Sequence, residues 1–163
     1  MICELSSSDF KDILRVVNEA AIAYKGIIPG DRWREPFMPE SELREEIAAG
    51  VEFCGWKENG ELVGVMGIQR VRDVTLIRHA YVLTNRQHGG IGVRLLQHLL
   101  TRARTPEVLV GTWEVALWAI RFYEKHGFQL TFREETNRLL KEYWRIPDRQ
   151  VETSVVLKLR RHG

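Results

Sequence analysis

The chain has 163 residues, the size of a single domain, and its 44% apolar and 28% charged side chains exclude a disordered or fibrous polypeptide. Its 24 basic and 22 acidic residues leave a net charge of +2, so no overall field directs it onto nucleic acid or an anionic membrane, and any anion site must be local. Cys3 and Cys54 stand alone, without CxxC spacing or a neighbouring His, and read as buried free thiols; no metal is expected. No apolar run approaches the roughly 20 residues of a bilayer span and no leader pattern opens the chain, which makes the cytoplasm the expected compartment.

The opening ICEL is a short apolar strand. Ser6, Ser7 and Ser8 then offer N-caps to an amphipathic helix over 9–25, whose Phe10, Ile13, Leu14, Val17, Ala20, Ala21 and Tyr24 recur at helical spacing and predict one buried face. The stretch 26–39 is punctuated by three prolines and two glycines and reads as an irregular connection. A helix over 40–49 follows, with acidic residues in its first turn and Gly50 past its end. Strands at 51–57 and 61–70 flank Asn59-Gly60, a pair suited to a tight hairpin turn, and a second turn at Arg72-Asp73 leads into a third antiparallel strand over 74–83. A polar loop then opens into a helix over 91–103. EVLVGTW is the next strand, 118–125 a short helix ended by His126-Gly127, 128–132 a strand, 134–143 a helix, and VETSVVLKL the last strand. The basic KLRRHG end is assigned no function, and no repeat or linker divides the single domain, 1–163.

The segment richest in chemistry is YVLTNRQHGGIGV, in which a strand enters a loop with three glycines that passes directly into a helix. Such a helix start presents unpaired backbone N–H groups and a partial positive charge, and glycines admit an anion close to the backbone. Arg86 adds a full charge. The loop lacks the Gly-Lys-Ser/Thr of a nucleoside triphosphate site and the G-x-G-x-x-G of a dinucleotide fold.

Gln87-His88-Gly89-Gly90-Ile91-Gly92 resembles the Q/R-x-x-G-x-G/A signature of the GNAT acetyltransferases, and Ala119-Ile120-Arg121-Phe122-Tyr123-Glu124-Lys125-His126-Gly127-Phe128 resembles the A-x-x-F-Y-x-x-x-G-F motif found downstream of it in that family. The resemblance implies an α/β (α+β) fold with a mixed, mostly antiparallel sheet of about seven strands flanked by helices, and a β-loop-α site for acetyl-CoA as co-substrate. Tyr81, Val82 and Leu83 would hold the pantetheine arm and supply an oxyanion-binding N–H; Arg86, Gln87, His88, Gly89, Gly90, Ile91, Gly92 and Val93 would hold the pyrophosphate. Tyr123 would protonate the leaving thiolate, for which a phenol of pKa near 10 is suited. The implied reaction is direct attack of a primary amine on the thioester, the amine belonging to a small molecule, an amino acid or a peptide.

No family residue transfers as the base. His79 and Glu114 are candidates, each with a structural alternative: a hydrogen-bonded strand histidine and a helix cap. The resemblance directs the acceptor to a pocket near Tyr24, Asp31, Trp33 and Glu35, with Tyr143 or Trp144, where carboxylates beside aromatics would hold a cationic amine, unless the loop is only a surface connection. Many relatives have Asn where this chain has Ala116, which leaves open a CoA-binding regulatory module without turnover; Trp113, Leu117 and Trp118 read as packing. Neither nucleic acid nor membrane is an expected partner; the resemblance allows a homodimer through a terminal strand such as 151–159, without fixing the oligomeric state.

Overall fold

The computed structural model describes residues 1–161, so His162 and Gly163 of the basic end lie outside the described residues. The strands β1 (Ile2–Glu4), β2 (Glu52–Glu58), β3 (Glu61–Val71), β4 (Val74–Val82), β5 (Glu107–Trp113), β6 (Gln129–Leu130) and β7 (Ser154–Arg160) form one sheet in the order β1-β2-β3-β4-β5-β7-β6. Every pairing is antiparallel except β4 with β5. That exception has a covalent cause, because a parallel neighbour needs a crossover and the helix α3 (Ile91–Arg102) supplies it.

The first half folds as the local signals dictate. Asn59 and Gly60 both take positive φ, 51° and 80°, and join β2 to β3 so that Glu58 faces Glu61. β3 is buried from Leu62 to Ile68, as its unbroken apolar run requires of a central strand covered on both faces. The helix α1 (Phe10–Ala21) buries Ile13, Val16, Val17, Ala20 and Ala21, ends earlier than its periodicity predicts, and continues as a 3-10 turn through Tyr24. It packs beside α2 (Glu40–Ala48), whose Arg44 guanidinium lies 4.4 Å over the Phe10 ring.

Alternation along β7 shows how the layers divide. Leu157 and Leu159 join the main core with Val108, Val110 and the α3 leucines 95, 96 and 99. Val156 instead joins Leu76, Leu109 and the α5 (Arg133–Tyr143) leucines 139 and 140. Residues two apart share a face, so α3 lies over one side of the sheet and α5 over the other.

Two sequence expectations are corrected at the C-terminal end. Val151 and Glu152 belong to a short helix, α6 (Asp148–Glu152), that starts after Pro147, so the last strand begins at Ser154. β6 is confined to Gln129–Leu130. β7, although it comes last in the chain, is an inner strand of the sheet, paired along its length with β5 and at Leu157 and Lys158 with β6. Cys54 is fully buried and its thiol pushed up to about 12, chiefly by desolvation, while Cys3 is half-buried; both are free.

Candidate active site

β4 and β5 pair only over Val74–Ile77 and Glu107–Val110. Beyond Ile77 the register of β4 on β3 steps between Val65 and Gly67, and His79 takes φ +54°, the signature of a bulge. A bulge bends its strand and tightens the local twist. The two parallel neighbours therefore part like a fork, and a cavity of about 440 Å³ opens between 77–81 of β4 and 110–113 of β5. Gly67 permits the bend: a Cβ there would come within 2.9 Å of the Arg78 carbonyl oxygen and of the Val51 side chain.

At the end of β4, Leu83 donates its N–H to the Val63 carbonyl, and a 3-10 turn over Thr84–Arg86 leads to the glycines. Gln87 donates its side-chain amide to the Val82 carbonyl at 3.1 Å, tying the loop back to the strand it left. His88 and Gly90 take positive φ, 70° and 81°, which turns the chain into α3. The first backbone bond of that helix runs from Arg94 N–H to the Gly90 carbonyl, so the N–H groups of Ile91, Gly92 and Val93 have no partner within the helix. The predicted phosphate-binding residues thus come together as one helix start. Arg86 is the exception, since its guanidinium turns to the Glu58 carboxylate at 3.0 Å.

Tyr123 lies on α4 (Leu117–Lys125), held edge-on by Phe122 and Phe128 with ring centroids 5.1 and 5.4 Å away. It is buried, yet it lines the cavity, and among the described residues its hydroxyl has no hydrogen-bond partner. Burial pushes the phenol far above its ordinary value, so it holds its proton at any physiological pH. Tyr24 and Tyr81 line the same cavity with rings 6.3 Å apart. Ala116, just before α4, is fully buried against Ile28 and Trp113. An asparagine there would place an amide in an apolar pocket. Trp113 packs as expected; Leu117 and Trp118 do not, being about half exposed, although Trp118 stacks on Tyr24 at 5.5 Å.

His79 and Glu114 separate clearly. Glu114 is exposed, pairs with Arg133 at 2.9 Å and stands away from the cavity lining. His79 lines the cavity, stacks on Phe53, and meets the Glu46 carboxylate of α2 through Nε2 in a short contact. Arg78 takes the other Glu46 oxygen at 3.0 Å. Burial alone would raise the Glu46 carboxyl, but its hydrogen bond and electrostatic interaction with His79, together with the Arg78 guanidinium, hold it below its usual value.

The acceptor side differs from expectation. Asp31 pairs with Arg149 at 2.8 Å and Glu35 with Lys25 at 2.9 Å; both carboxylates are exposed and neither lines the cavity. Trp33 sits behind Phe37, and Tyr143 turns its hydroxyl to Asp73 on another surface, where it is pushed up to about 12, mainly by desolvation and that hydrogen bond. Tyr24 and Trp144 do line the cavity, joined by Phe37, Arg32, Glu42 and Glu46, which the sequence alone did not single out.

A seven-stranded open sheet, parted between the only parallel pair among the described residues and beside a glycine-rich helix start, is the scaffold of an acyltransferase. The model of the acetyltransferase (GNAT) family matches residues 14–128, and the chain belongs to that family. Its fold is shared with the PaiA N-acetyltransferase of Thermoplasma acidophilum, solved in complex with coenzyme A, at 18% identity and a TM-score of 0.75 over 99% of this chain and 98% of that one. The ribosomal-protein-S18-alanine N-acetyltransferase of Escherichia coli is similar at 18% identity, with a TM-score of 0.70 over 100% and 96% of the two chains. N-acetylglutamate synthase of Neisseria gonorrhoeae, complexed with coenzyme A and N-acetyl-glutamate, matches at 22% identity and a TM-score of 0.66, covering 100% of this chain and 35% of that one. Among curated protein sequences none matches the chain. No helix among the described residues is long and apolar enough to cross a membrane.

Proposed function

We propose that the chain is an acetyl-CoA-dependent N-acetyltransferase that moves the acetyl group to a primary amine by direct attack in a ternary complex. The observation that carries this reading is Tyr123, a buried residue on the wall of the cavity where β4 and β5 part, whose hydroxyl is protonated and has no partner among the described residues. The helix start formed by 87–93 would take the pyrophosphate of acetyl-CoA, whose pantetheine arm would lie along Tyr81, Val82 and Leu83 and bring the thioester between the strands. Bound there, acetyl-CoA supplies an activated acyl group.

The remaining work belongs to side chains and backbone. His79, held by Glu46, accepts a proton from the attacking amine as the N–C bond forms. Past Ile77 the backbone N–H groups of β4 have no β5 partner, and one of them can stabilise the oxyanion, a contribution of roughly 3 kcal/mol for a preorganised donor. As the C–S bond breaks, Tyr123 gives its proton to the thiolate. No covalent enzyme intermediate is needed.

Two measurements test the reading. Calorimetric titration with acetyl-CoA and with 3′-dephospho-CoA, followed by competition with inorganic pyrophosphate, should give micromolar binding that pyrophosphate displaces; binding untouched by pyrophosphate would remove the loop from the site. Tyr123→Phe should retain acetyl-CoA affinity and lower kcat by about 10²-fold, within the range of a lost general acid. Turnover at the parent rate would take the acid role away from Tyr123.

A further inference from the structure

On the transferase reading the acceptor is any primary amine, and the charges around the cavity narrow that class. Four arginines, Arg32, Arg34, Arg78 and Arg145, and two glutamates, Glu42 and Glu46, line it. Both glutamates are engaged: Arg34 pairs with Glu42, and Glu46 is shared between Arg78 and His79. Among the described residues Arg32 and Arg145 have no carboxylate within ion-pair distance, so two of the four guanidinium groups lining the cavity are not held by a direct ion pair.

Arg32 is the more telling of the two. Its Nη2 donates to the Gln150 side chain at 3.1 Å, while its Nε is buried with no acceptor at all. A buried donor left without a partner costs roughly 1–3 kcal/mol, more when it is charged. Guanidinium N–H groups form a planar fork that matches a carboxylate. The carboxylates that could have held a cationic acceptor, Asp31 and Glu35, are already paired outside the cavity.

We propose that the acceptor is an amine that carries a carboxylate, which Arg32 and Arg145 take while the amine points toward His79 and the fork. The rings of Phe37 and Trp144 supply an apolar wall for the rest of the molecule. A polyamine would bring cationic ends against the guanidinium groups of Arg32 and Arg145 and is disfavoured.

The experiment follows thiol release from acetyl-CoA with matched acceptors: phenylalanine against phenethylamine, leucine against isoamylamine, lysine against cadaverine, with ethanolamine phosphate as a separate arm. At least one carboxylated member should be preferred about tenfold or more in kcat/KM over its decarboxylated partner. Arg32→Gln and Arg145→Gln should each raise KM for that acceptor about tenfold with a smaller effect on kcat, and leave the acetyl-CoA dissociation constant unchanged, the pattern of lost acceptor binding. Preference for the decarboxylated amines, transfer to ethanolamine phosphate alone, no turnover of any carboxylated member, or unchanged KM in both variants would overturn the inference while acetyl-CoA still binds. Absence of acetyl-CoA binding would overturn the transferase reading itself, and this inference with it.

Discussion

Burial drives the ionisable side chains of the fork, Tyr123 and Glu46 among them, toward their neutral forms, and their neighbours decide the outcome. Tyr123 packs against Phe122 and Phe128, has no ion-pair or hydrogen-bond partner among the described residues, and stays protonated; Glu46 has Arg78 and His79, which outweigh desolvation and keep it charged. Because the folded Glu46 titrates below its unfolded value of about 4.5, its contribution to stability is present above that pH and is lost as the pH falls through the folded value. Urea denaturation between about pH 5 and pH 3 should therefore show stability falling with acid, and Glu46→Gln should give a shallower slope whatever its stability at neutral pH; equal slopes would mean that Glu46 is not preferentially charged in the native state. Tyr123 was legible because a short motif marks it. Glu46 was not, since it sits in an acidic helix that reads as solvated and meets His79 from 33 residues away. Arg32 escaped for the same reason: an irregular loop gives no periodicity from which to infer where a side chain points.

At the scale of elements, the turn chemistry was the most readable part. Asn59-Gly60 fixed a hairpin, and the glycine loop fixed a helix start. Gly90 at φ +81° has open space where a Cβ would go, so the demand on it is conformational and not steric. A β-branched residue is poorly suited to that left-handed backbone, at a penalty of about 1–2 kcal/mol, whereas asparagine tolerates it. Gly90→Val should thus weaken acetyl-CoA binding about tenfold by calorimetry and Gly90→Asn clearly less; equal losses would point to the glycine's small size as the requirement. The bulge at His79 was not legible, because nothing in the run from Leu76 to Val82 marks an extra residue and only the pairing with β3 reveals the step. α6 was hidden likewise, five residues being too short to establish a helical period beside a strong strand signal.

For the molecule as a whole, family and sheet content followed from two motifs and the order of elements, while the charge inside the cavity depended on distant segments meeting and had no sequence signature. The sheet is two pieces, β1–β4 and β5–β7–β6, joined by a short parallel seam of four residues on each strand. A co-substrate lying between them adds contacts to both pieces, and any ligand bound only by the native state stabilises it, by about 2.7 kcal/mol at a hundredfold excess over its dissociation constant. Hydrogen exchange should slow most in 78–83 and 110–113 when acetyl-CoA is added; protection confined to the glycine loop would mean that the arm does not enter the fork. The inner position of β7 has a further consequence during synthesis. The strand that pairs with β5 from Glu107 to Trp113 is translated after every other element lining the cavity, with α4, β6, α5 and α6 coming between. On the ribosome β5, the second wall of the pocket, has an open edge until β7 emerges and pairs along it. A nascent chain can thus fold its first four strands early yet remain catalytically silent, exposing an apolar strand edge to chaperones, until this late insertion completes the sheet.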